Sequence, residues 1–350
     1  MLTGLRFPAC VGVSMVVLLA APGVAINDND SPHLQPGTRV LLDAHNAYPY
    51  QDAYADRIDR ALATGVPLAI EQDLVWHCGA PDRCRSIVSH GEPFTGREPS
   101  MREHFFERIR PHMTEALARG DRRDWPLVTL NLDFKTDEPE HHAAVWALLG
   151  EYEAWLTTAP RTATITTMAP LTAGPLLVLT GEADAQEGSF HDRVPIGERL
   201  RLFGAVRVTR GPNEPPPSGV PPDDIAPRQA TPEARSNYRR WWNNAWSAVE
   251  GGGPRRAGEW TARDEARLRS LVRQAHEDGL WIRFYTLNGH APGAGQGWHD
   301  GYNFGSLEAA EVRWRAAIAA GVDFVATDQY EAFAGLTRRV EIREGAETGE

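Results

Sequence analysis

The feature that most limits how this chain can fold is an alternation of short apolar runs with longer stretches of helical spacing. The apolar runs are Arg39–Ala44, Leu68–Asp73, Leu127–Lys135, Pro175–Thr180, Ala205–Val208, Trp281–Leu287 and Asp323–Thr327. Helical patterns fall between them: Tyr54 to Leu62 closed by Gly65, Met101–Arg119 closed by Gly120, Pro139–Thr158, Thr261–Asp278, and Ser306–Ala320 closed by Gly321. A left-handed glycine after the last apolar residue is a common way to end a helix. Strands that alternate with helices pair in parallel, because a parallel connection needs a crossover long enough to hold a helix. This many units predicts a closed TIM-barrel-like (β/α)8 fold, one domain spanning residues 39–338. Seven runs account for seven strands, and the eighth is expected near Thr162–Thr166 or within residues 211–230. Thr231-Pro232-Glu233 reads as a helix start, with Thr as N-cap and Pro at the first position. The helix it begins would run to about Val249 and carry Trp241, Trp242 and Trp246.

Two segments break the alternation. Gly211–Pro232 holds eight prolines, and Gly289–Gly305 is glycine-rich with Trp298, His299 and Tyr302 interspersed. Both follow strands, which puts them at the C-terminal face of a barrel, where active sites sit. They read either as substrate-binding loops or lids, or as surface insertions.

The two ends lie outside the barrel. Arg6, an apolar run from Val11 to Ala21, and the small residues Gly23-Val24-Ala25 have the layout of a secretory signal peptide over residues 1–25. That apolar core is shorter than the ~20 residues a spanning helix needs, so cleavage is expected rather than an integral membrane segment. Cys10 precedes the apolar run and does not read as a lipoprotein acceptor. Residues 26–38 are a linker, and 339–350 a polar, frayed tail. A secreted or periplasmic chain would retain Cys78 and Cys84, with five residues between them. In an oxidising compartment that spacing favours one short disulfide loop, while a zinc site would need a second cysteine pair.

Charge removes some partners. The chain holds 36 basic and 47 acidic residues, a formal net charge of −11. Such a balance offers nothing to nucleic acid or to anionic membrane surfaces. Lys135 is the one lysine among those 36 basic residues, and its position is informative. In Leu127–Lys135 side chains alternate, so Val128, Leu130, Leu132 and Phe134 share one face while Thr129, Asn131, Asp133 and Lys135 share the other. The first face suits packing against helices. The second becomes charged toward the end of the strand, where desolvated charges must pair or bind something.

Leu68–Asp73 repeats this pattern, with Glu71 and Asp73 on one face. Two carboxylates so close are costly to keep ionised without a cation between them. With Asp133 they offer three oxygen donors suited to Mg²⁺ or Ca²⁺. His45 ends the first strand and His90 ends the run Ser86–Ser89, so the two imidazoles can serve as general acid and base near neutral pH. His104, His112, His141, His142 and His276 sit in helical stretches and read as surface or packing residues.

His45-Asn46, Glu71-x-Asp73, His90-Gly91 and Asp133-x-Lys135, in that order, resemble the glycerophosphodiester phosphodiesterase and phosphatidylinositol phospholipase C-like superfamily. Asp-x-Lys together with the Cys78–Cys84 loop resembles its sphingomyelinase D branch. The His45-Asn46 start is similar to the altered-inheritance-of-mitochondria-6-like phosphodiesterases. Thr286-Leu287-Asn288 and Gly321-Val322-Asp323 through Thr327-Asp328 match late strands of the same barrels. The resemblance implies His45 and His90 as the acid–base pair, a divalent cation on Glu71, Asp73 and Asp133, and Lys135 neutralising phosphate charge. It also implies that a neighbouring substrate hydroxyl attacks phosphorus to give a cyclic phosphate, which water can then open. The group's usual His-Arg-Gly start is His45-Asn46-Ala47 here. Asn46 and Asn131 are candidates for a weaker phosphate contact, and Arg283 for replacing the missing charge. The substrate implied is a small-molecule or lipid phosphodiester. Two other classes fit a barrel with carboxylates: a glycoside hydrolase, which needs two carboxyl groups about 5–9 Å apart, and a non-catalytic ligand-binding protein.

Overall fold

The structure, a computed structural model, describes residues 31–50, 53–79, 83–211, 218–296 and 299–348. The signal-peptide reading and residues 26–30 of the linker lie outside the described residues, as does Trp298. Eight strands form a closed parallel barrel: β1 (Leu41–Ala44), β2 (Leu68–Cys78), β4 (Val128–Phe134), β5 (Leu176–Thr180), β6 (Phe203–Ala205), β7 (Arg239–Ala245), β8 (Trp281–Tyr285) and β9 (Phe324–Thr327). Each pairs with the next, and β9 returns to β1. A further strand, β3 (Cys84–Val88), folds back antiparallel on the long end of β2. Cys78 and Cys84 face each other at the tip of that hairpin and form a disulfide.

The eighth strand is β7, not Thr162–Thr166 or a stretch within residues 211–230, and it lies where the local signals point to a helix. Ala230–Pro232 is extended and pairs antiparallel with Val208–Arg210, so the Thr-Pro-Glu start is not used. Tertiary contacts override it. Trp241 points into the barrel and its indole Nε1–H donates to the Thr180 carbonyl at 2.8 Å, while Trp242 packs on the outer side. Arg239 donates to the Ala205 carbonyl at 2.6 Å and to Glu187 at 2.6 Å. Two adjacent tryptophans buried on opposite faces suit a two-residue period and cannot both be buried by a one-sided helix.

Other boundaries follow local chemistry. Ala262–Glu277 opens with a reciprocal capping box between Thr261 and Asp264. Leu307–Ala320 starts on the Ser306 hydroxyl and ends at Gly321, whose φ of 79° is the left-handed conformation that glycine adopts cheaply. The last helix, Tyr330–Thr348, runs through most of the stretch read as a frayed tail.

The barrel separates two cores. Val128, Leu130, Leu132 and Phe134 belong to the larger one, between strands and helices. Leu41, Leu177, Phe203, Trp241, Trp281 and Phe324 fill the lower interior of the barrel itself. That plug closes the barrel from below, so charged side chains one step higher on the same strands can be reached only from the C-terminal rim. None of the helices is long and apolar enough to cross a membrane among the described residues.

Candidate active site

The site begins at the ends of β1, β2, β4 and β9. Parallel register sets Glu71 beside Asn131 and Asp73 beside Asp133, and register partners in parallel strands point the same way. Glu71, Asp73 and Asp133 therefore meet, each offering an oxygen within 4.8 Å of the other two. Glu71 and Asp73 are buried, while the Asp133 side chain is 49% exposed.

Lys135 lies just past β4 and reaches back into this group. Its ammonium is 2.9 Å from Asp73 Oδ2 and 2.7 Å from Asp133 Oδ2. Burial opposes its charge, but Asp73 and Asp133 outweigh that and raise its pKa. Asp73 Oδ2 also accepts the Tyr48 hydroxyl at 2.7 Å. Its other oxygen, Oδ1, is buried without a hydrogen-bond partner. Burial first, then Asp133 and Glu71, push the Asp73 pKa well above the carboxylate range. A buried carboxylate with one unsatisfied oxygen beside two further carboxylates fits a hard divalent cation.

His45 faces this group from β1. Asp328, just after β9, lies 2.7 Å from its Nδ1, and Glu71 Oε1 lies 3.7 Å from its Nε2. Burial lowers the imidazole pKa, but Glu71 and Asp328 raise it by more, so the ring is held toward its charged form. Asp328 is itself tied down: the Arg57 guanidinium sits 3.3 Å from its Oδ2, and the Asn46 amide donates at 3.2 Å to Oδ1. A carboxylate on one ring nitrogen fixes the orientation of the ring and leaves the other nitrogen for chemistry.

His90 sits exposed in the turn after β3, with its ring edge against Tyr50 at 6.1 Å between centroids. Burial and the Lys135 charge lower its pKa, opposite to the shift at His45. The fields of Asp133, Glu71 and His45 also reach it. Tyr302, from the glycine-rich segment, places its ring edge-on to His45 at 6.1 Å. That segment therefore borders the site, whereas residues 212–217 of the proline-rich one are outside the described residues.

Two expected substrate contacts are placed differently. Arg283 rises from β8 into the barrel, where its three guanidinium nitrogens meet Asp43, Glu71 and Asn243. It is 3% exposed, so it supports Glu71 from beneath instead of presenting its charge at the rim. Asn46 has a φ of 54° and is buried, its side-chain nitrogen donating to Asp328 and its side-chain oxygen lying 2.7 Å from the Tyr48 hydroxyl, whose one proton goes to Asp73. It braces the loop that carries His45. Asn131 is buried in the layer beside Glu71.

Sequence reasoning gave no role to Asp43, Tyr48, Arg57, Asn243 or Asp328, and noted Tyr302 only as part of the glycine-rich segment. Asp43 carried a signal, since it precedes His45 by two residues as Glu71 precedes Asp73, and Asp328 is polar just past the last barrel strand. Tyr48 and Arg57 carried none, because a turn and a helix deliver them. Of the helical histidines read as packing residues, His104 donates from Nε2 to the Ala47 carbonyl at 3.1 Å, behind the His45 loop; burial lowers its pKa to about 4.

No protein-family model matches this chain, and no curated protein matches it in sequence. Among solved structures it is similar to a glycerophosphoryl diester phosphodiesterase from Parabacteroides distasonis, at 12% identity and a TM-score of 0.41, covering 90% of this chain and 89% of that one. It is also similar to Plasmodium falciparum HPPK-DHPS with pteroate, at 6% identity and a TM-score of 0.42, covering 87% of this chain and 49% of that one.

Proposed function

We propose that this chain is a metal-dependent phosphoric diester hydrolase or lyase that acts on glycerophosphodiesters or phospholipids. One observation carries the reading. An imidazole oriented by Asp328 faces, across 3.7 Å, a carboxylate group in which a buried oxygen of Asp73 has no partner. Glu71, Asp73 and Asp133 would hold a Mg²⁺ or Ca²⁺ ion, which supplies positive charge where a phosphate gathers negative charge.

The protein's own groups divide the proton transfers. His90, in the turn after β3, serves as general base, and His45, whose Nδ1 rests on Asp328 2.7 Å away, as general acid. His90 takes the proton of the attacking hydroxyl, either a neighbouring hydroxyl of the substrate or water. His45 donates from Nε2 to the leaving alkoxide while its Nδ1 stays on Asp328. An intramolecular nucleophile needs only orientation and a base, which makes a cyclic phosphate an accessible first product. Lys135 and Tyr302 border the phosphate position. Carboxylate oxygens that converge from three residues suit a shared cation, and a requirement for metal separates this reading from glycoside hydrolysis. The disulfide at the β2–β3 tip accords with export to a secreted or periplasmic setting.

The test is turnover of bis(p-nitrophenyl) phosphate by the chain from Ile26 onward, stripped with chelator, with and without Mg²⁺ or Ca²⁺ restored. Turnover that returns with metal and disappears in His45→Ala is the expected result. Metal binding by calorimetry without turnover on any phosphodiester would instead favour a ligand-binding protein.

A further inference from the structure

Lys135 stands where the metal reading places a cation. Its ammonium contacts one oxygen of Asp73 and one of Asp133, at 2.9 and 2.7 Å, and these are two of the three carboxylates that converge. The lysine is only 25% exposed, and Asp73 is 1% exposed. A carboxylate pair, one member of it buried, in contact with an ammonium is already partly neutralised. A divalent ion must then either evict the ammonium or bind beside it against its repulsion, and both weaken binding. The unsatisfied Asp73 Oδ1 shows that one ammonium does not exhaust the site. Tyr48 donates to Asp73 Oδ2 alongside Lys135, so that oxygen is shared between two donors and Oδ1 by none.

We propose that Lys135 is a tethered counter-ion that occupies part of the metal seat in the metal-free protein, and that metal binding displaces it. The inference rests on the metal-dependent reading and adds that Lys135 sets the metal affinity. The ammonium lies where it offsets the charge of two of the three carboxylates that converge. An isolated pair of buried charges of one sign would otherwise protonate or splay apart. Displacement of the ammonium makes metal loading a two-position exchange: with the ion bound, the ammonium leaves Asp73 and Asp133 and swings on its four-carbon stem toward the open rim.

Calorimetric titration with Mg²⁺ and with Ca²⁺ tests this on the wild type, Lys135→Met and Lys135→Gln. The expected result is metal affinity at least about tenfold tighter in both variants, lost in each when combined with Glu71→Gln. The metal-free variants should also melt at lower temperature than wild type and recover on adding metal, because unscreened carboxylates repel until a cation arrives. Lys135 is the chain's one lysine, so protein grown with ¹³Cε-lysine gives a single side-chain resonance. That resonance must move on metal addition with the midpoint seen by calorimetry. Equal or weaker affinity in the variants, or a resonance that stays put while the wild type binds metal, overturns the counter-ion role and leaves the metal reading standing. No metal binding by wild type or variants overturns both.

Discussion

The lower and upper layers of the barrel interior are built from the same strands, two residues apart, and they obey opposite rules. Below, Leu41, Trp241, Trp281 and Phe324 fill space with apolar surface and ask nothing of one another beyond shape. One step higher, Asp43, Asn243 and Arg283 stand on β1, β7 and β8, with Asp328 a further step up just beyond β9, and each is held by a named partner. An apolar layer tolerates substitution in proportion to the volume lost. A charged layer does not, because removing one partner strands another in a low dielectric. The plug lets the site exist by making the rim the only approach. The charged layer makes it specific by fixing where each oxygen lies.

The sharpest way to break this comparison is at the top of the charged layer. Asp73→Ala should lower kcat/KM on bis(p-nitrophenyl) phosphate by on the order of 10³-fold or more with an unchanged circular dichroism spectrum, since metal charge stabilisation is worth several kcal/mol. Wild-type turnover in that variant would remove Asp73 from the reaction.

Next come two buried substitutions expected to cost similar stability for different reasons. Arg283→Met leaves Asp43 and Glu71 as buried charges without their shared partner, at roughly 3–5 kcal/mol. Trp241→Ala opens a cavity, again at roughly 3–5 kcal/mol. Urea unfolding measures both, and activity separates them: folded Trp241→Ala protein should keep most of its turnover, whereas Arg283→Met should lose it with Glu71 displaced. Equal turnover in the two would mean that the layers are not distinct.

A third test uses pH. Burial lowers the His104 pKa to about 4, and likewise that of His141. Both are fully accommodated when neutral, above the ordinary value near 6.5. As pH falls from there toward 4 the unfolded chain gains protons that these rings refuse, so stability drops, by up to roughly 3 kcal/mol per ring. His45, with a raised pKa, contributes in the opposite direction, its stabilisation present at low pH and lost as pH rises through its folded value. Urea midpoints at pH 7 and pH 5 for wild type and His104→Gln isolate the His104 share, and the variant should lose less between the two. The smallest effect is expected at the β2–β3 tip, where reducing the Cys78–Cys84 bridge should cost about 2 kcal/mol for so short a loop. Two titratable thiols in the native, non-reduced protein would show that the bridge does not form.

How much of this was legible beforehand divides along the same line. Wherever one strand carries its own signal, the sequence alone sufficed. Alternation along Leu127–Lys135 separated the helix-facing from the interior face, and the pairs Glu71/Asp73 and Asp133/Lys135 marked the rim, because a two-residue period is a local property. Seven strands and the barrel class followed from the same reasoning. The eighth strand did not, since Thr231-Pro232-Glu233 is a sound local helix signal and only the contacts of Trp241 and Arg239 across the barrel draw Arg239–Ala245 into the sheet. The partners of the charged groups were likewise out of reach. Asp328 lies 283 residues from His45 and Arg283 lies 212 from Glu71, and no local period records which distant residue a closed barrel will bring alongside. The sequence determined which strands bear charge and on which face. Closure of the barrel decided which charges meet, because desolvation at the rim makes every buried charge depend on a neighbour that only the tertiary fold supplies.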